Sequence, residues 1–295
     1  MAIGCSPFRW SAPYQLSKVF MKAVVLVAVA ALLAGCAGGP RIDSSHTSLG
    51  QDSRAQFIVL HYTSADLARS LELLEQDQVS SHYLIGESPP TIYRLVDEDR
   101  RAWHAGESEW RGRTWLNSSS IGIELVNPGY VEGPQGRLWY PYSEQQIDAL
   151  IELLKDIMAR HGLGPEAIVG HSDIAPQRKV DPGPLFPWKR LADAGLVPWP
   201  DAAEVARQQA LFAIGLPDVA WFQEQLRMQG YRVPLHGHLD LETRKRDRRV
   251  SDEVPSDALR RRARCPDRGA AANLESGSIE GWQQLRVASQ IGRAT

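Results

Sequence analysis

Cysteine is nearly absent. Cys5, Cys36 and Cys265 are the only three in 295 residues, and at that separation they build neither a disulfide framework nor a CxxC metal site. A surplus of one charge is also missing: 33 basic and 35 acidic residues leave a net charge of −2, which excludes a global attraction to nucleic acid. There is no HExxH helix motif and no internal repeat. Hydrophobic residues make up 43% and charged residues 23% of the chain, the balance of an ordinary soluble globular protein. That length holds one good-sized domain and a smaller one.

The longest apolar run lies near the N-terminus, in "MKAVVLVAVAALLAGCAGG" from Met21. It is short for a bilayer span and ends in small residues, the shape of a secretory signal peptide. Leu33-Ala34-Gly35-Cys36 resembles a bacterial lipoprotein box, which implies lipidation of Cys36. Ala37, rather than Asp, follows the cysteine and favours the outer membrane by the same resemblance. Acyl chains would anchor the protein without spanning the membrane. The expected location is periplasmic, with Met21 as the expected start. The next residues, through Gln56, are rich in Gly, Ser and Asp and read as a tether.

From there two periodicities alternate. "QFIVLHY" (Gln56–Tyr62), "SSHYLIGE", "TIYRLV", "IGIELV" and "AIVGHS" read as strands. Ser64 is the expected N-cap of "SADLARSLELLEQ", in which Leu67, Leu71 and Leu74 recur at helical spacing. Ser143 opens a second helix that stops at Gly162, with Ile147, Leu150, Ile151, Leu154 and Ile157 in one stripe. The alternation predicts an α/β fold, a central mixed β-sheet flanked by helices.

Several polar residues sit oddly on that frame. His61 and His171 fall at strand ends, where sites gather in open α/β folds. Glu124 lies inside an apolar strand, where a carboxylate is costly unless it faces a cleft, a metal or a partner. In "GHSDIAPQRKVDPGPLFPW", Arg178 and Lys179 stand between His171 and Asp181, and the prolines bar a regular helix through most of the stretch. Two imidazoles and a carboxylate suffice for a catalytic zinc with one position open to water. A glutamate moves the water proton to a leaving amine, and a lysine steadies an oxyanion. Each residue alone is equally well read as structural, and the types by themselves leave the choice open.

Elsewhere, "AWHAGESEWRGR" holds Trp103 and His104, read either as a cleft wall touching substrate or as a packed loop. Asn127 orients substrate or closes a turn. Arg178 binds a stem-peptide carboxylate or faces solvent. His82 reads as structural or as a support behind the site, and His161 as a helix C-terminal group suited to the dipole.

Together "VLHYT", "SSHYLI", "WHAGESEWRG", "SIGIELVNPG" and "GHSDIAPQRKVDPGPLFPW", in this order across about Gln56 to Pro200, resemble the type 2 N-acetylmuramoyl-L-alanine amidase family. The resemblance implies that His61, His171 and Asp181 bind zinc, that Glu124 is the general acid/base and that Lys179 stabilises the oxyanion. It implies peptidoglycan or its muropeptides as substrate, cut between N-acetylmuramic acid and L-alanine. The substrate contacts expected are His104, Trp103, Asn127 and Arg178.

The chain then divides into a leader over 1–36, a tether over 37–55, the amidase domain over 56–200, a partial unit over 201–244 and a tail over 245–295. Residues 219–244 resemble the front of a small helical peptidoglycan-binding domain. The arginine-rich sequence after it breaks off that pattern and reads as disordered. Shifting permitted codons from Lys245 by one base restores a Phe-Gln helix, so a frameshift is expected, and the nucleotide sequence decides it. Three rivals are weighed. A non-catalytic peptidoglycan-binding protein on the same fold would lack a ligand residue. A cytoplasmic recycling amidase would lack the lipoprotein signal. A lysozyme would need a carboxylate pair across a glycosidic bond and leave both histidines without a task.

Overall fold

The computed structural model describes residues 42–246 other than 77, 135 and 216, and before them only 1, 21, 22, 24, 25 and 40. The expectations for Cys36, for the leader and for the tail after 246 lie outside the described residues. The chain divides into two compact units, Met1–Gln51 and Asp52–Thr295. In the first, described residues form short turns such as Ser45 N–H donating to Asp43 Oδ1. Among the described residues, no helix is long and apolar enough to cross a membrane.

The second unit is built on β1 (Phe57–Tyr62), β2 (Tyr83–Ile85), β3 (Ile92–Arg94), β6 (Ser120–Leu125) and β9 (Ile168–Gly170), in the order β3-β2-β6-β1-β9. β2, β6, β1 and β9 run parallel, and β3 joins antiparallel at one edge. The sheet is therefore mixed, as its alternating sequence predicts. Two hairpins, β4–β5 (Glu109–Trp110, Arg113–Thr114) and β7–β8 (Tyr130–Gly133, Gly136–Trp139), escaped the sequence reading. Their strands are mostly exposed, so no run of buried apolar residues marks them in the sequence.

Parallel central strands bury both faces, and strand alternation divides β1 and β6 between two cores. Ile58, Leu60, Ile121, Ile123 and Leu125 face the first. It is covered by α2 (Glu144–His161), whose Ile147, Leu150, Leu153, Leu154 and Ile157 pack there. Each such side chain contributes about 1.5–3 kcal/mol on burial. Ser143 Oγ accepts from Gln146 N–H and Gly162 closes the helix in the left-handed region, so both expected ends hold. Buried Gln146 ties the helix to the sheet by donating to Ile85 O and Val126 O.

Phe57 and Val59 face the second core, with Leu116, Val169, Ile174, Leu226 and Tyr231. By alternation His61 lies on this face of β1, and Ser120, Gly122 and Glu124 lie on this face of β6. The polar residues of the site therefore share the side that α2 leaves free.

Local expectations change in two places, and at a third a structural residue gains specific partners. Helix α1 (Leu67–Gln76) is capped by Asp66, whose Oδ1 accepts from Arg69 N–H. Ser64 has φ 54°, whereas a capping residue needs an extended backbone. Residues 53–55, assigned by composition to the tether, are packed: Ala55 is buried, and Arg54 Nη1 donates to Ser120 O. His161 is held by Glu98 Oε2 at 2.8 Å and Ser53 Oγ at 2.6 Å, a specific pairing beyond a dipole contact. The remaining helices are α3 (His171–Ile174), α4 (Trp188–Asp193), α5 (Ala202–Ile214) and α6 (Val219–Gln229). Leu226 and Tyr231 place the last of these segments in the second core.

Candidate functional site

His61 and Glu124 are cross-strand neighbours in register at the C-terminal ends of β1 and β6. Leu60 pairs with Gly170 at the end of β9, so the next residue, His171, opens α3 beside them. Asp181 arrives from the proline-rich loop, and its carbonyl accepts from Ser172 N–H at 2.8 Å. Tyr142 Oη fixes the next residue by donating to Pro182 O. Close packing of this loop requires Gly170, where a Cβ would meet Pro182 Cδ at 2.7 Å.

These elements bring three donor atoms together. His61 Nδ1 lies 2.9 Å from His171 Nδ1 and 3.1 Å from Asp181 Oδ2, and His171 Nδ1 lies 3.0 Å from that oxygen. All three residues are buried. The outer nitrogens assign the tautomers. His171 Nε2 faces Ala105 O at 3.2 Å; a carbonyl only accepts, so Nε2 carries the hydrogen and Nδ1 a lone pair. Ser120 Oγ donates its single hydrogen to Leu116 O at 2.6 Å and therefore accepts from His104 Nε2 at 3.2 Å. His104 Nδ1 is then an acceptor for His61 Nε2–H at 3.0 Å, which leaves His61 Nδ1 bare as well.

Three acceptors thus converge with no hydrogen between them, a repulsive arrangement unless a cation joins it. Tetrahedral zinc with bonds near 2.0–2.1 Å separates its ligand atoms by roughly 3.3 Å, close to the spacing observed. The residues fit a divalent metal, and His61, His171 and Asp181 are the only such trio among the described residues.

Electrostatics follow the same geometry. Burial, then the neighbouring His171, pushes the His61 imidazole down to about 4. Burial, then the charge of Asp181, pushes the Glu124 carboxyl up to about 8, with Lys179 opposing. Burial would also raise Asp181, but His171 and His61 outweigh it and hold the carboxyl well below its usual range. Glu124 Oε1 is 4.0 Å from His61 Nδ1, and buried Oε2 has no hydrogen-bond partner. A partnerless carboxylate oxygen beside three convergent ligands is available to a water or a substrate.

A cleft of about 350 Å³ opens over these atoms and is also lined by Trp103, His104, Arg178, Lys179 and Tyr130. Trp103 is exposed at its rim, with Arg101 stacked 5.5 Å away. Three of the expected substrate contacts hold bonds within the protein. His104 borders the cleft but spends both ring nitrogens on His61 and Ser120. Asn127 is buried outside it and closes a turn, accepting from Gly129 N–H and donating to Pro141 O. Arg178 is exposed at the cleft, and part of its guanidinium is already engaged: Nε and Nη2 donate to Glu107 O, and Nη2 also donates to Ala105 O. His82 supports β6 from behind, accepting from Gly122 N–H at 2.9 Å.

Ser120 and Gly122 were missed by the sequence reading. A Cβ on Gly122 would stand 2.5 Å from His104 Cγ, so only glycine lets that ring lie against the strand. A lone glycine within an apolar strand signals such an approach.

Comparison with known proteins points the same way. Residues 51–184 match the family described as N-acetylmuramoyl-L-alanine amidase. The chain is 47% identical over 223 residues to the N-acetylmuramoyl-L-alanine amidase AmiD of Escherichia coli strain K12, covering 70% of this chain and 81% of that protein. A solved complex of E. coli AmiD with anhydro-N-acetylmuramic acid-L-Ala-D-gamma-Glu-L-Lys matches with a TM-score of 0.69 and 35% identity, covering 86% of this chain and 95% of that one. AmpDh3 from Pseudomonas aeruginosa, in complex with anhydromuramic pentapeptide, matches with a TM-score of 0.67 and 33% identity, covering 87% and 99%.

Proposed function

The chain belongs to the N-acetylmuramoyl-L-alanine amidase family, and from that premise we propose a zinc-dependent enzyme that cuts peptidoglycan stem peptides from N-acetylmuramic acid. Amidase activity on peptidoglycan is the activity of the family; the metal and the residue roles are proposed from the site. The observation that carries it is the convergence of three lone-pair donors beside the partnerless Glu124 oxygen.

His61, His171 and Asp181 would hold the zinc, which when bound supplies Lewis-acid polarisation and acidifies water toward neutral pH. Glu124 takes the proton of the attacking water as the new C–O bond forms at the lactyl carbonyl. It returns that proton to the alanine nitrogen as the C–N bond breaks, and the new carboxyl group on the sugar passes its own proton to the freed amine, leaving a carboxylate and an ammonium. Burial and then Asp181 raise the Glu124 carboxyl to about 8 against the opposing pull of Lys179, close enough to neutral pH for a group that must both accept and release a proton. Lys179, on the cleft wall, places its ammonium to offset the developing oxyanion. Trp103 offers a flat apolar face at the rim for sugar or peptide. Cys36 carries the lipid that would tether this domain in the periplasm, at the outer membrane, within reach of the wall.

The test is product analysis by mass spectrometry after incubating the purified chain with muropeptide. Free stem peptide plus free amino sugar, abolished by chelator and restored by zinc, is the expected result. Intact muropeptide from a folded, metal-loaded sample would refute catalysis on this substrate and leave a wall-binding protein.

A further inference from the structure

The segment after the amidase core touches the site from behind. Buried Tyr231 donates from Oη to Asp173 Oδ1 at 2.9 Å. The other oxygen of Asp173 accepts from Gly170 N–H at 2.6 Å, so this carboxylate joins Tyr231 to the turn that presents His171. Tyr231 is itself fixed, its ring edge-on to Trp110 at 4.8 Å and its neighbour Gly230 O accepting from Arg111 N–H at 2.8 Å. Leu226 and Tyr231 share a core with Val169, Ile174 and Ala175, on both sides of His171. Farther along, Lys245 Nζ donates to Gln177 O at 2.9 Å, immediately before Arg178 and Lys179.

We propose that residues 219–246 brace the loop from His171 to Asp181, with Tyr231 a positioning residue that acts on His171 through Asp173. The inference rests on reading His171 as a metal ligand. Its physical basis is that α3 has only four residues and too few internal hydrogen bonds to fix itself. Asp173 closes its first turn, and removing the Tyr231 hydroxyl takes away one of the hydrogen bonds that hold this buried carboxylate in place. Movement of Asp173 shifts Gly170 and His171 relative to His61, which sits on the rigid central strand. Partners one step behind metal ligands are typically worth about 10–100-fold in affinity or activity.

Tyr231→Phe in the full chain removes the hydroxyl and keeps the ring against Trp110. Expected outcomes are a kcat about 10-fold lower with KM within about 2-fold, zinc release to a chromogenic chelator about 10-fold faster, and faster hydrogen exchange at Ser172 and Ala175. Parent values for exchange and zinc release would overturn the proposal. Ser143→Ala is the control: Ser143 lies outside the bracing segment and caps α2 on the opposite face of the sheet, where its Oγ accepts from Gln146 N–H and donates to Glu87 O. If it reproduces the kcat and zinc effects at an equal loss of thermal stability, general loosening replaces positioning and the proposal fails. An unmodified chain that neither holds zinc nor cleaves muropeptide defeats the amidase reading instead. The exchange comparison still decides the brace in that case.

Discussion

Gly122→Ala isolates the link between strand packing and metal binding. The new methyl would stand 2.5 Å from His104 Cγ, where ordinary contact begins at 3.4 Å. The ring must retreat by roughly 1 Å, which takes the 3.0 Å bond to His61 Nε2 out of hydrogen-bond range. His61 then loses the acceptor that keeps its hydrogen on Nε2, and the lone pair on Nδ1 is no longer guaranteed. Overpacking costs about 1–3 kcal/mol of stability, and the lost support should weaken zinc about 10–100-fold. Urea unfolding and zinc competition against a fluorescent chelator read the two quantities separately. Adding His104→Ala clears the clash, so the double variant should regain stability while its zinc affinity stays at the level of His104→Ala alone. Parent-like zinc affinity in either His104→Ala or Gly122→Ala would refute the chain of tautomers from Leu116 O to His61.

Three further outcomes are expected. Glu124→Gln should lower kcat by about 10²–10⁴-fold with zinc stoichiometry unchanged, measured by muropeptide turnover and metal analysis; lost zinc would move Glu124 into the ligand set. Burial works to raise Glu98, but hydrogen bonds from Arg160, Tyr83 and His161 outweigh it and bring its carboxyl down to about 2. Because the folded value lies below the unfolded one, this stabilisation is complete above about pH 4.5 and fades as pH falls toward 2. Glu98→Gln should therefore flatten the acid side of the stability curve by about 1–3 kcal/mol, seen in urea titrations across that window; an unchanged slope refutes the assignment. Ser143→Ala removes the cap on Gln146 N–H and should cost about 1 kcal/mol by thermal unfolding without changing KM.

Some of this protein was legible without coordinates. Helix α2 is readable because its signals are local: Ser143, Gly162 and a stripe of apolar residues are neighbours along the chain. The strands carrying His61 and Glu124 are readable because unbroken apolar runs are what a doubly covered parallel sheet needs. Ser64 misled, since Ser and Asp are both good caps and only the backbone angle at 64 and the hydrogen bond to Asp66 separate them. The β4–β5 and β7–β8 hairpins stayed hidden because their mostly exposed strands carry no buried apolar run. Asn127 shows the same limit at the site, where one amide serves a turn or a substrate equally well until its partners are visible.

By itself the sequence determined the strands that end in His61 and Glu124, the helix that covers one face, and a stiff loop holding His171, Lys179 and Asp181. Those follow from local spacing, from proline stiffness and from the cost of an unpaired carboxylate in an apolar strand. The tertiary structure alone decided which way the imidazoles face. His61 is 110 residues from His171 and 120 from Asp181, and no local preference encodes which ring nitrogen carries the hydrogen. That choice descends from one carbonyl, Leu116 O, through Ser120 and His104, and holds only because Gly122 leaves room for a ring. The same is true of Tyr231, whose hydroxyl meets Asp173 across 58 residues of chain. Such contacts arise when packed elements meet, and packing is a property of the whole sheet.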